Sequence, residues 1–127
     1  MTKNSTFIQS LRHAIDGFVF LLKNEKNARI HLVATFGVLI ISSFLSLKNY
    51  EWLLILLAIS MVWIAELFNT ALENLFNLVK PEKNEFVKIG KDTSAAAVLL
   101  TAVFTIIVGL LILAPALYQK ILSWLSG

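Results

Sequence analysis

Five polar side chains recur at close intervals in a mostly apolar stretch in the middle of the chain, and two of them are carboxylates. The stretch covers residues 61–80, MVWIAELFNTALENLFNLVK, and the five are Glu66, Asn69, Thr70, Glu73 and Asn77. At roughly 100° per residue this spacing places them on one narrow stripe of a helix. Glu66 and Glu73 therefore face the same way, with backbones roughly 10 Å apart, and their side chains can lean toward a shared ligand.

This polar stripe is our candidate site, because a carboxylate facing lipid costs at least ~2.5–3.5 kcal/mol. Two acids on one membrane helix are therefore expected to face protein, water, a metal or a substrate. Carboxylates beside lysines can hold Mg²⁺ through one or two oxygens while the metal keeps waters and nucleotide phosphates. Phosphoryl transfer needs little more than such a clamp, a positioned nucleophile and a proton acceptor.

The stripe also has a structural interpretation, as a polar seam between helices or an ion path. The protein would then be a small oligomeric channel or interaction module without enzymatic activity. A seam seldom needs two acids, which favours the catalytic interpretation. The sequence contains no Walker loop, kinase glycine loop, zinc motif or Ser-His-Asp spacing that would indicate another chemistry.

The composition is that of a membrane protein. Of the 127 residues, 57% are hydrophobic, and the mean hydropathy is +0.77, which is too apolar for a soluble domain of this length. The chain has no cysteine, which excludes a disulfide framework and a thiolate metal site. Its net charge of +3 is clustered, which fits an anionic membrane surface better than nucleic acid, so we expect no nucleic-acid partner.

The pattern of apolar runs predicts an all-α membrane protein forming one domain over residues 1–127. It starts with an amphipathic surface helix that carries too many charges for the apolar core of a signal peptide, so we expect the mature protein to retain it. A polar connection, residues 24–31, leads to three transmembrane helices, and a charged cytoplasmic loop separates the last two. The predicted bounds are 5–24 for the surface helix, 30–48, 52–79 and 93–118 for the spans, and 80–92 for the loop.

Three further features concern the spans and their orientation. The small residues at 94–97 and Gly109 are expected to let helices approach closely, and Pro115 is expected to kink or end the third span. Most basic residues lie in the N-terminal segment and in the loop over 80–92, whereas the turn at 48–51 has one lysine. The positive-inside rule then predicts a cytoplasmic N-terminus, with the glutamates near the cytoplasmic interface of the cell inner membrane, the side where ATP is found.

The central motif resembles the signature of a known family. Glu66-Leu67-Phe68-Asn69-Thr70-Ala71-Leu72-Glu73, followed by Lys91-Asp92 and Ser94-Ala95-Ala96-Ala97-Val98, is similar to the pattern of the small prokaryotic diacylglycerol kinases, which include the undecaprenol kinases. The N-terminal patterns Ser10-x-x-His13-Ala14-x-x-Gly17 and Glu25-x-Asn27-x-Arg29-Ile30-His31 resemble the undecaprenol-kinase branch. The resemblance covers essentially the whole chain.

The resemblance implies a homotrimer in the lipid bilayer, with active sites between protomers at the cytoplasmic face, and transfer of the γ-phosphate of ATP to a lipid hydroxyl. It assigns Glu66 as the base, with Asn69 beside it. It assigns Glu25 and Glu73 to the metal, Mg²⁺, and to ATP. Further positions near ATP are Glu82, Lys83, Asn84, Lys91 and Asp92, and positions near the lipid alcohol are Ser10, His13 and Glu66.

The chain departs from the family pattern at Asn77, where aspartate is usual. An amide can form hydrogen bonds but supplies no negative charge, which weakens a metal or electrostatic role at this position. We expect activity because the other carboxylates are present, with an inactive family member as the alternative. The acceptor is undecaprenol or diacylglycerol, and the N-terminal resemblance favours undecaprenol.

Overall fold

The computed structural model describes residues 6–79 and 83–127, and this part of the chain consists of four helices without any strand. The helices are α1 (Phe7–Asn24), α2 (Lys26–Phe44), α3 (Asn49–Val79) and α4 (Glu85–Ser126). α2, α3 and α4 are long and apolar enough to cross a membrane. The predicted fold class, an amphipathic helix followed by three membrane-spanning helices, is confirmed.

α1 begins at a capping box and presents an apolar face that residues 6–79 and 83–127 leave exposed. The Thr6 side chain accepts a hydrogen bond from the backbone N–H of Gln9, and the Gln9 side chain accepts one from the backbone N–H of Thr6. Phe7, Ile8 and Leu11 are largely exposed on this helix. A basic and apolar helix with such a face is suited to lie in the membrane interface.

The connection between α1 and α2 is shorter than predicted. We expected a polar segment over 24–31 and a first span over 30–48, whereas only Glu25 is extended and α2 begins at Lys26. The backbone N–H of Glu25 still donates to the carbonyl oxygen of Leu21, so the helical hydrogen bonds of α1 continue up to the residue that precedes α2. The polar side chains of this segment therefore lie on a regular helix and are placed by its periodicity.

The loop before the last span is also shorter than the expected 80–92, because α4 begins at Glu85. The Asn84 side chain accepts hydrogen bonds from the backbone N–H groups of Phe86 and Val87, which caps the helix. Lys91 and Asp92, expected in a loop, thus lie on a helix. Pro115 does not end this helix, which continues to Ser126.

The two longest helices extend beyond the apolar core of a bilayer. With 42 residues, α4 is roughly 60 Å long, about twice the ~30 Å thickness of the hydrocarbon. α3 has 31 residues and is roughly 45 Å long. The charged start of α4 and the C-terminal turns of α3, which follow each other in sequence, can therefore stand outside the hydrocarbon together.

α3 and α4 form the principal packing of the molecule. Ile55 and Ala58 of α3 are buried against Val108 and Ile112 of α4, and the Thr105 hydroxyl donates to the carbonyl oxygen of Ala58 at 3.2 Å. The close approach is not at Gly109, where an added Cβ would have no atom within 4 Å. It lies at the start of α4, where a Cβ on Gly90 would overlap the ring of Phe76.

Candidate active site

A polar pocket of about 300 Å³ lies between α2, α3 and α4, at the level of Glu66. Its polar lining side chains come from Glu25, from the first turns of α2 and from the stripe on α3. The polar lining residues are Glu25, Asn27, His31, Glu66, Asn69 and Glu73, and α4 contributes Ala95, Val98, Leu99 and Ala102. Carboxylates that are far apart in sequence, Glu25 and the two on α3, therefore share one pocket.

The polar stripe of α3 faces protein along most of its length. Glu66 and Thr70 are buried, Asn69 and Glu73 are half-buried, and Asn77 is exposed near the end of the helix. The burial of Glu66 agrees with the argument that a carboxylate on a membrane helix avoids lipid. Residues of α3 between these positions lie on other faces of the helix, because a helix has 3.6 residues per turn. The apolar ones among them can contact lipid or another chain.

Glu66 lies beside an imidazole. Its Oε1 is 3.2 Å from Nε2 of His31, although the two atoms do not have the alignment of a hydrogen bond, and Oε1 has no hydrogen-bond partner in the part of the chain that the structure describes. Oδ1 of Asn69 and the hydroxyl of Thr70 are likewise buried without a partner among residues 6–79 and 83–127. Buried polar groups in this condition are suited to accept or donate bonds to a ligand.

Glu25 and Glu73 have the chemistry of a magnesium clamp. Both are half-buried and line the pocket beside Glu66. Within the described residues, no group of three or more Asp, Glu or His side chains is arranged to hold a metal ion. Two carboxylates suit Mg²⁺ nevertheless, because this ion usually takes one or two from the protein and keeps waters and substrate phosphates as its other ligands.

Lys91 is held by the residue that departs from the family pattern. Its Nζ donates a hydrogen bond of 2.6 Å to Oδ1 of Asn77, which joins the start of α4 to the end of α3. The partner is a neutral amide, so the charge of the ammonium group is not compensated by it. A phosphate that approached Lys91 would meet an oriented and fully charged donor.

The structure does not bring Lys91, or the remaining predicted nucleotide and lipid residues that it describes, into this pocket. Asp92 pairs with Lys88 at 2.8 Å on the exposed face of α4, Asn84 caps α4, and Lys83 is exposed before it. Ser10 is half-buried and His13 is exposed on α1. Glu82, also predicted to lie near ATP, is outside the described residues.

Sequence reasoning missed two of the polar residues that line the pocket, Asn27 and His31. Both were assigned to a connection between helices, where side-chain direction cannot be predicted. They lie four residues apart on α2, which places them on one face of the helix. Their spacing in the motif that begins at Glu25 was the available signal.

An apolar groove of about 470 Å³ lies between α1, α2 and α3. Its lining residues include Phe18, Leu32, Thr35, Trp63 and Leu67. Nε1 of Trp63 donates to Oγ1 of Thr35 at 3.1 Å, which satisfies the only polar atom of the indole ring. Leu32 and Leu67 follow His31 and Glu66 in sequence, so the groove and the polar pocket occupy adjoining sides of α2 and α3.

Comparison with known proteins gives a family match and two curated relatives. A family model described as prokaryotic diacylglycerol kinase matches residues 12–113. An undecaprenol kinase of Bacillus subtilis is 36% identical over 111 residues, which cover 87% of this chain and 90% of that protein. A diacylglycerol kinase of Synechocystis sp. is 38% identical over 109 residues, covering 85% of this chain and 62% of that protein.

Proposed function

From the premise that this chain belongs to the prokaryotic diacylglycerol kinase family and is a lipid kinase, we propose that it phosphorylates the hydroxyl of a membrane lipid alcohol with ATP. The observation that carries the proposal is the convergence of Glu25, Glu66 and Glu73 on one pocket that adjoins an apolar groove. A reaction between a charged nucleotide and a lipid needs both environments side by side.

Glu66 is the general base in this proposal. The lipid hydroxyl oxygen bonds to the γ-phosphorus of ATP, its proton passes to the Glu66 carboxylate, and ADP leaves with the electrons of the broken P–O bond. The position of Glu66 supports this role, because its buried carboxylate lines the polar pocket and the next residue, Leu67, lines the apolar groove. Asn69 lines the same pocket, and its side-chain NH₂ group can donate a hydrogen bond to the hydroxyl oxygen and so orient it while the proton passes to Glu66.

Glu25 and Glu73 would hold Mg²⁺ in the polar pocket. When bound, the ion would neutralise the charge of the nucleotide phosphates during transfer. Without that charge the three neighbouring carboxylates repel one another and repel ATP. Among the described residues that line the pocket, only His31 is basic. The ion that Glu25 and Glu73 would hold therefore supplies the positive charge that the nucleotide needs there.

Residues at the start of α4 face the nucleotide in this proposal. Lys91, oriented by Asn77, would bind a phosphate, and Lys83 and Asp92 lie near the same start of α4. Asn84 acts through the helix start that it caps, and Glu82 belongs to the same connection. The positive-inside rule predicts that this end lies in the cytoplasm, together with the N-terminus, where ATP is available.

The lipid alcohol would enter through the apolar groove between α1 and the spans. Undecaprenol is the acceptor that we favour, because the Bacillus relative is an undecaprenol kinase matched over nearly its whole length. Diacylglycerol is the second candidate, given the name of the cyanobacterial relative. Ser10 and His13 of α1 would lie toward the lipid head.

We propose a homotrimer as the working assembly. Ala95, Ala96 and Ala97 are exposed on α4 in the single chain, and such small residues let helices of neighbouring subunits approach closely. Measuring the protein mass of the detergent-solubilised particle tests this proposal. A monomer that retains full activity would contradict it.

The decisive assay is transfer of label from γ-labelled ATP to lipid in mixed micelles with Mg²⁺. Undecaprenol and diacylglycerol should be supplied separately, at equal mole fraction, with ATP saturating. We expect labelled undecaprenyl phosphate as the principal product, and a preference for diacylglycerol would reverse the assignment of the acceptor. Absence of labelled lipid with either alcohol would contradict the proposed activity and would favour an inactive family member.

A further inference from the structure

His31 is the nearest basic side chain to the proposed base. It lies on α2 one helical turn after Asn27, and the two share the face that lines the polar pocket. Ala28, between them in sequence, is completely buried. This side of α2 is therefore packed against the rest of the molecule, and the imidazole lies on the side toward α3.

The contact between His31 and Glu66 joins a buried group to a more exposed one. Nε2 lies 3.2 Å from Oε1, and the side chains of His31 and Glu66 are 23% and 3% exposed. In the described ranges, the other ion pair is on the surface of α4, between Lys88 and Asp92. The carboxylate of Glu66 thus has one neighbouring group within these ranges that can counter its charge.

We propose that His31 is a positioning residue for Glu66. The imidazole lies against Oε1 as a close polar contact at 3.2 Å, without the alignment of a hydrogen bond, and so restricts how the carboxylate can turn, leaving Oε2 for the lipid hydroxyl. Glu25 and Glu73 line the same pocket and repel the charge of Glu66, whereas His31 opposes this repulsion. The inference rests on the proposed role of Glu66 as the base. It means that α2, through His31, helps to orient the carboxylate that α3 supplies.

The test compares amides of different reach at position 31. His31→Gln can place an N–H near Oε1, His31→Asn is one methylene shorter, and His31→Leu removes the donor. We expect kcat to fall about 10- to 100-fold in His31→Leu and His31→Asn, the range for losing a close polar contact with a charged group. His31→Gln should recover at least a tenth of the wild-type kcat, and the KM for ATP should stay within about threefold throughout.

Lys26→Leu is the matched control, since it also replaces a basic side chain of α2 by leucine, at an exposed position outside the pocket. We expect its kcat to remain within about twofold of the wild type. In a Glu66→Asp background the acidic side chain is one methylene shorter and its contact with His31 is already lost, so His31→Asn should cost less than about threefold if His31 acts through Glu66.

Three results would overturn the inference while the wild type remains active. In the first, kcat of His31→Asn is within about threefold of the wild type. In the second, His31→Gln and His31→Asn lose the same amount of kcat. In the third, His31→Asn lowers kcat as much in the Glu66→Asp background as in the wild type. The amide pair keeps the test valid if His31→Leu fails to fold. A wild type that labels no lipid would instead refute the proposed function.

Discussion

At the scale of single residues, the proposed chemistry depends on a carboxylate that is buried but has a basic neighbour. Glu66→Gln preserves the shape of the side chain and removes its ability to accept a proton. We expect kcat to fall by at least about 10²-fold, the lower range for general base catalysis. The measurement is the initial rate of lipid labelling at saturating ATP.

Glu51→Gln is the matched control for this prediction. Glu51 lies on the same helix, where its Oε1 accepts a hydrogen bond from the backbone N–H of Lys48 at 3.0 Å, and glutamine retains an oxygen for that bond. Its activity should stay within about twofold of the wild type. A Glu66→Gln variant that is equally active would show that the base is another group.

The amide at Asn77 already performs the positioning that an aspartate could provide, since it accepts the hydrogen bond from Lys91. We expect Asn77→Asp to change kcat by less than about threefold. Asn77→Leu leaves Lys91 without this partner and should raise the KM for ATP about 3- to 10-fold, the worth of one hydrogen bond. Steady-state kinetics with ATP as the varied substrate distinguish these outcomes.

A large gain in rate from Asn77→Asp would instead show that the missing charge limits this chain. The substitution would then count as a partial loss of function within the family. If Asn77→Leu had no effect on the KM for ATP, the phosphate role proposed for Lys91 would have no support from this contact.

At the scale of elements, the junction of α3 and α4 sets the position of Lys91. Gly90 contacts the face of α3 at Phe76, where a Cβ would overlap the aromatic ring. Gly90→Val should therefore reduce the stability of the helix pair by about 1–3 kcal/mol, the usual cost of overpacking. Thermal unfolding in detergent, followed by circular dichroism, measures the loss.

Gly109→Val on the same helix is the matched control, because a Cβ there has no atom within 4 Å. It should leave the midpoint of thermal unfolding nearly unchanged. Equal losses in the two variants would show that the strain comes from valine in a helix and not from contact with Phe76.

At the scale of the whole molecule, orientation in the membrane decides whether the pocket can meet ATP. The chain contains no cysteine, so single cysteines can report on topology. Lys48→Cys, in the exposed turn between α2 and α3, should react with an impermeant maleimide added outside intact cells. Lys83→Cys, just before α4, should react only after the membrane is opened.

The reverse labelling pattern would place the polar pocket on the outer side. Lys48→Cys should retain lipid kinase activity in micelles, where orientation has no meaning, and this activity is its folding control. Circular dichroism is the folding control for Lys83→Cys, because Lys83 belongs to the proposed ATP site. Labelling of Lys48→Cys and Lys83→Cys from outside alike would indicate mixed insertion.

The sequence alone determined the membrane class, the three spans, the family resemblance and the shared face of Glu66, Asn69 and Glu73. These properties follow from composition and from the helical period, which are local. The break at Glu25 and the helix start at Asn84 are not predictable from polarity, which indicates loops over both segments. A single polar residue is enough to separate two helices, as Glu25 does, or to cap one, as Asn84 does. Polarity by itself does not separate a helix surface from a loop.

Only the tertiary structure decided which residues meet across helices. The packing of α2 on α3 brings His31 to Glu66 and gathers Glu25 into the same pocket, and the close approach at Gly90 brings Lys91 to Asn77. Such contacts depend on how each helix is rotated and where it crosses its neighbour. A helical period fixes the face of a residue on its own helix, but the partner of that face is set by packing between elements distant in sequence.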